Sequence, residues 1–156
     1  MNVQDLKTFG HSINETELIS FEKGDIGFQL PDDYRSFLLM YNGGGLSGYS
    51  FYAEDIDQEF RTDVFYGLNI EGRRAIDLRY WFNTYDDEIP KKSLLIGGDP
   101  GGMHLLYVTK GEDKGIYLWD HAHRIEGYSE EEGNTYFIAE SFEEFIKSLK
   151  KVEKPV

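Results

Sequence analysis

The sequence predicts an α+β fold: a mainly antiparallel sheet flanked by amino-terminal and carboxy-terminal helices. Three observations carry that expectation. Apolar residues recur at helical spacing in segments towards the two ends, whereas the middle is cut into short runs rich in aromatic and β-branched residues. Gly- and Asp-bearing turns join those runs, as in "KGEDKG" between Thr109 and Ile116. Parallel strands would each need an intervening helix, and the runs after Leu94 have none until the carboxyl end.

Taken in order, Val3 to Phe9 and Glu15 to Lys23 read as short helices. After Pro31, which the first turn of a helix tolerates, Tyr34, Phe37, Leu38 and Tyr41 fall at i, i+3, i+4 and i+7. Asp32 and Asp33 suit the positive start of that helix, and Asn42 with Gly43 ends it. Strands are expected at Tyr49 to Ala53, Val64 to Leu68, Leu94 to Ile96, Met103 to Thr109, Gly115 to Trp119 and Tyr136 to Ala139. A further helix from about Arg73 to Asn83 carries Ile76, Leu78, Tyr80, Trp81 and Phe82. Near the end, Ser141 with Glu144 forms a capping box ahead of Phe142, Phe145, Ile146 and Leu149. Lys147, Lys150 and Lys151 are expected at its negative end, so that the chain closes on a helix.

A length of 156 residues, without internal repeats or low-complexity linkers, fits one domain spanning residues 1–156. The absence of cysteine excludes a disulfide framework and every thiolate metal site. No basic start with an apolar core marks a signal peptide, and no run approaches the ~18 apolar residues of a membrane span, so a cytoplasmic protein is expected. A formal net charge of −13 repels nucleic-acid phosphates and anionic membranes. It favours a cationic partner instead.

Several motifs invite a chemical reading. In "IGGDPGGMHLLYV", Gly97 and Gly102 have the spacing of the two P-loop glycines, but Met103 and His104 stand where lysine and Ser/Thr should be. The run from Met103 to Thr109 reads as a strand rather than a phosphate-holding helix, so the glycines are expected to form a tight turn with positive φ at Gly101 or Gly102. The glycines of "NGGGLSGY" come after a helix and precede a strand, the reverse of a dinucleotide-binding turn. His121 and His123, with His104 or His11 as a third ligand, make the only metal constellation, and a polar strand end explains them as well. With 29 acidic residues chance carboxylate pairs are common, and no nucleophile elbow is present. No catalytic, cofactor-binding or metal-binding residue and no cofactor is therefore assigned.

The acidic stretches are more informative as surface. Glu54, Asp55, Asp57, Glu59 and Asp63 stand against Arg61 alone, followed by Asp86 to Glu88 and by Glu126 with Glu130 to Glu132. Aromatic and aliphatic residues are interleaved with them, the mixture of anchors and charge that suits a protein partner. Asp55, Asp57, Glu59, Asp86, Asp87 and Glu88 are the expected steering charges, with Tyr52, Phe60 and Tyr66 as anchors.

The stretch "LPDDYRSFLLMYNGGG", Leu30 to Gly45, resembles the SUKH superfamily of SMI/KNR-like domains. The family's Leu-Pro pair corresponds to Leu30 and Pro31, its helical aromatic and apolar pair to Tyr34, Phe37 and Leu38, and its closing Asn-Gly to Asn42 and Gly43. The resemblance continues through "IPKKSLLIGGDPGGMHLLYV", "GIYLWDHAHR" and the final "AESFEEFIKSL". It implies an α+β domain without enzymatic activity. Many bacterial members look like immunity proteins that neutralise a cognate polymorphic toxin, often a nuclease, and fungal relatives act in regulation. The expected function is thus a non-catalytic immunity protein with a cationic toxin as partner. A regulatory or scaffold module unrelated to toxins is the alternative, and the oligomeric state stays open.

Overall fold

A computed structural model of the chain describes residues 3–121 and 134–152. Strand runs separated by short turns pair with their sequence neighbours, and the named strands assemble into two antiparallel sheets. The larger has the order β1 (Gly44–Gly45), β4 (Val64–Phe65), β5 (Ser93–Gly98), β6 (His104–Val108), β7 (Gly115–Trp119), β8 (Thr135–Ala139). The smaller has β3 (Gln58–Arg61), β2 (Tyr49–Ala53) and β9 (Lys150–Lys151). With α1 (Glu15–Ser20), α2 (Asp32–Tyr41), α3 (Leu78–Tyr85) and α4 (Phe142–Ser148), the fold is α+β.

Local chemistry sets the helix ends. Asn14 caps α1 by accepting from the Glu17 N–H at 2.8 Å, and the Glu17 carboxylate accepts from the Asn14 N–H at 3.2 Å. The chain then widens into a π-helical turn, Phe21–Ile26, which Gly27 closes at φ 80°. That turn buries Glu22, which accepts from the Leu30 N–H at 2.7 Å and pairs with Arg35 at 3.0 Å. Ser141 caps α4 by accepting from Glu144, as its capping pattern predicts.

One side of the larger sheet carries α2 and α4. The Phe37 ring centroid lies 4.8 Å from that of Phe142, tilted, and 5.5 Å from that of Phe65, edge-on, while Tyr34 lies 5.1 Å from Phe142 and 6.1 Å from Tyr107. These rings are fully buried. The family-signature residues fall here: Leu30, Tyr34, Phe37 and Leu38 are core. Asn42 is a clamp, adopting φ 53° and donating through Nδ2 to the His11 and Leu68 carbonyls while Oδ1 accepts from the Leu68 N–H. Glycine is required at position 43 because a Cβ there would meet the Phe65 carbonyl at 2.6 Å.

Several expectations are corrected. Residues 3–9 are not helical; Lys7 pairs with Gly45 through backbone bonds of 2.8 and 2.9 Å. The helix expected over Arg73 to Asn83 is split into a 3₁₀ turn, Arg74–Ile76, and α3, because extended Asp77 caps the Arg79 N–H at 2.8 Å. The strand expected over Val64 to Leu68 is regular only at Val64 and Phe65; beyond it the Tyr66 N–H bonds the Ile96 carbonyl and Gly67 forms an isolated parallel bridge with Asp77. The described residues do not close on a helix. Leu149 is already extended, and Lys150 and Lys151 pair with Ser50 and Tyr49. The Tyr49 hydroxyl donates to Asp5, and Lys151 reaches the same carboxylate at 3.5 Å, so the Asp5 pKa is held below the usual carboxylate range, chiefly by the Tyr49 bond and then by the Lys151 charge. The short strands β1 and β3 went unread in the sequence.

Candidate functional site

Alternation along β6 and β7 sends Leu105, Tyr107, Ile116 and Leu118 towards α2 and α4, and His104, Tyr117 and Trp119 to the opposite face. There α3 lays Trp81 4.5 Å from His104 and Tyr85 5.2 Å from Trp119. Trp81 also stacks on Tyr66 at 5.7 Å, and the Tyr66 hydroxyl meets His104 Nδ1 at 2.9 Å. Burial first, then Asp63, Asp99 and Tyr85, pushes the Tyr66 phenol well up. At the rim His121 packs 4.6 Å from Tyr85 and 4.9 Å from Trp119. Its Nε2 lies 3.2 Å from Glu88 Oε1.

With eight residues, α3 is about 12 Å long, about half the ~24 Å breadth of six strands. Its rings reach Trp119, but Tyr117 and Phe137, a cross-strand pair at 5.6 Å, stay partly open, Phe137 at 37% exposure. The Asp55 carboxylate and the Asp113 backbone border the pair. Asp55, in a 3₁₀ turn (Glu54–Ile56) packed on β8, accepts the Phe137 N–H at 3.0 Å. The Tyr117 hydroxyl donates to the Asp113 carbonyl at 2.6 Å, and its pKa is raised by burial, then by the Asp113 and Asp55 charges. Acidic stretches far apart in sequence thus border one aromatic face.

A family model of the SMI1 / KNR4 family (SUKH-1) matches residues 12–148. The chain belongs to that family. It is also similar to the SPbeta prophage-derived uncharacterized protein YokK of Bacillus subtilis (strain 168), 29% identical over 171 aligned residues that cover 93% of this chain and 78% of the relative. No solved structure matches.

In this SUKH-1 chain the expected surface residues separate. Tyr52 is 47% exposed on β2, opposite Glu59 on β3. Asp55, Asp57, Glu59, Asp86, Asp87 and Glu88 are exposed. Phe60 and Tyr66 are not surface anchors: Phe60 stacks on Phe51 at 5.9 Å inside the smaller sheet's buried side, and Tyr66 lies beneath Trp81. Their place in the alternation turns them inward. Tyr85, Tyr117 and Phe137, which the structure places on this candidate face, are not among the expected residues, and His121 was read only as a metal ligand. The i, i+2 alternation of "GIYLW" separates Tyr117 and Trp119 from Ile116 and Leu118, but which set faces solvent depends on where α3 ends.

The metal constellation is not assembled by the described residues. His104 is enclosed by rings, His121 faces Glu88, and His123 lies outside the described residues, as do Glu126 and Glu130 to Glu132. Among the described residues no three His, Asp or Glu converge. The glycine-rich stretch is a turn with Gly102 at φ 89°. Its amides are engaged internally: Met103 N–H donates to the Asp99 carboxylate at 2.9 Å and Gly102 N–H to the Asp99 carbonyl at 3.1 Å. A carboxylate thus accepts an amide that a phosphate would need. No helix among the described residues is long and apolar enough to cross a membrane.

Proposed function

We propose that this SUKH-1 chain is a non-catalytic, single-domain cytoplasmic binding protein of the immunity type, which neutralises a cognate toxin by covering a cationic surface on it. The observation that carries this reading is a half-open aromatic face bordered by carboxylates on a chain of net charge −13. The family, which includes immunity proteins, supports it. Aromatic rings supply the contact area of a binding hot spot, while the net charge accelerates encounter with a basic cleft by roughly 10 to 1,000-fold. A nuclease, whose substrate site must be positive, is the partner class that such a surface suits best.

Co-expression with the toxin encoded beside the gene tests the reading. Protection of the host and a complex whose association slows as salt rises are expected. A toxin that kills at full strength in the presence of this chain, and does not bind it at low salt, would refute the pairing. A stable complex with a cellular protein that is not a toxin would turn the assignment to a regulatory module.

A further inference from the structure

We infer that the docking surface is the outer face of β7 and β8 together with the end of α3, and that its occupant is an extended basic segment of the partner carrying two arginine or lysine side chains around an apolar residue. The inference rests on the partner-binding reading above and adds to it the surface and the chemistry recognised.

The face offers two cation sites with an apolar floor between them. At one end the Tyr117 and Phe137 rings present π-surface beside Asp55, whose carboxylate holds the Phe137 amide, and near Asp113. At the other end Tyr85 and His121 pack together with Glu88 at their edge, and Asp86 and Asp87 are exposed beside it in the chain. A guanidinium gains from a ring face and from a carboxylate at once, and both ends place the two side by side. Trp119 lies between them, only 4% exposed against Tyr85 and His121, so the floor that a partner's apolar residue meets is the edges of those two rings over the buried indole. Along an extended strand the two residues from Tyr117 to Trp119 span about 7 Å, and the His121 ring lies 4.9 Å from Trp119, so Tyr117 and the His121 site are on the order of 12 Å apart. That separation fits basic side chains at i and i+4 of an extended segment, with the residue at i+2 over the floor.

A different exposed apolar residue, Met40 on α2, is 57% exposed but has no such pairing of rings with carboxylates, and so serves as a control. In Asp55→Asn the amide oxygen still accepts the Phe137 N–H, so charge is removed without the structural bond; Glu88→Gln removes charge at the other end.

The experiment is NMR titration of the full-length chain with a synthetic peptide, Thr-Arg-Thr-Leu-Thr-Arg-Thr, against the same peptide with citrulline for arginine. The ring resonances of Tyr85, Tyr117, His121 and Phe137 should move first, and the Asp55→Asn/Glu88→Gln double variant should weaken binding at least tenfold while Met40→Lys leaves it unchanged. Shifts centred elsewhere, or equal binding of the citrulline peptide, overturn the inference. With the neighbouring toxin domain the two readings separate. Tight binding that survives Phe137→Lys and is lost in Met40→Lys sinks the surface and keeps the immunity reading. Absence of toxin binding by the unsubstituted chain, with the peptide still seated on these rings, sinks the immunity reading and keeps the surface.

Discussion

The two faces of the six-stranded sheet are both built from aromatic rings, yet they do different things. On the face covered by α2 and α4, Tyr34, Phe37, Phe65, Tyr107, Phe142 and Phe145 are fully buried and meet mainly one another. On the face covered by α3, Trp81, Tyr85, Tyr117 and His121 are half-buried, and their neighbours include His104, Glu88 and Asp55. Aromatic content alone therefore does not separate core from surface in this protein. Cover does: among the described residues two helices close one face, and one short helix leaves the other partly open.

The sharpest way to break the contrast is to truncate one ring on each face. Phe142→Ala should cost about 3–5 kcal/mol, since it removes a fully buried ring and leaves a cavity. Phe137→Ala, at 37% exposure, should cost less than about 1 kcal/mol. Urea unfolding of both variants checks this; equal losses would mean that the outer face is as closed as the inner. Asn42→Ala comes next, at about 3 kcal/mol, because it leaves two carbonyls and the Leu68 N–H without their partner. A midpoint shift without change in slope is the expected signature.

Alkaline titration compares the faces through their phenols. Tyr34 and Tyr107 on the inner face and Tyr66 beneath α3 are raised chiefly by burial. A raised folded-state pKa means that their contribution is complete below the ordinary tyrosine value near 10 and is lost as pH climbs above it. Phenolate absorbance should therefore rise first for exposed tyrosines, and the three buried ones should appear only with cooperative unfolding. Smooth, non-cooperative titration of every tyrosine would contradict the burial. The smallest effect concerns the inner face alone. The Tyr34 hydroxyl is buried without a hydrogen-bond partner among the described residues, so Tyr34→Phe should leave stability unchanged or raise it by up to about 1 kcal/mol. A thermal scan showing clear destabilisation would reveal a partner for that hydroxyl.

Much of the fold was legible because its signals are local. The Tyr34, Phe37 and Leu38 stripe, the Ser141 cap, the β2 and β7 boundaries and the positive φ within "GDPGG" each depend on residues a few positions apart. Apart from the local Asp77 cap that splits Arg73 to Asn83, the errors fell where long-range pairing overrode local preference. Lys7 meets Gly45, and Lys150 meets Ser50, and no nearby residue encodes either register. The candidate surface divides in the same way. The acidic stretches were readable as charge, but Phe60 and Tyr66 were misplaced because a strand's alternation does not say which side the rest of the chain will cover.

By itself the sequence determined the α+β class, the family, the Ser141 cap, the acidic character and the lack of thiolate chemistry, since composition and short-range spacing fix these. Only the tertiary structure decided that Asp55 reaches Phe137 while Glu88 reaches His121, and that both carboxylates therefore border one aromatic face. The physical reason is that side-chain periodicity sorts a strand's residues into two sets, while the packing of distant helices decides which set meets water.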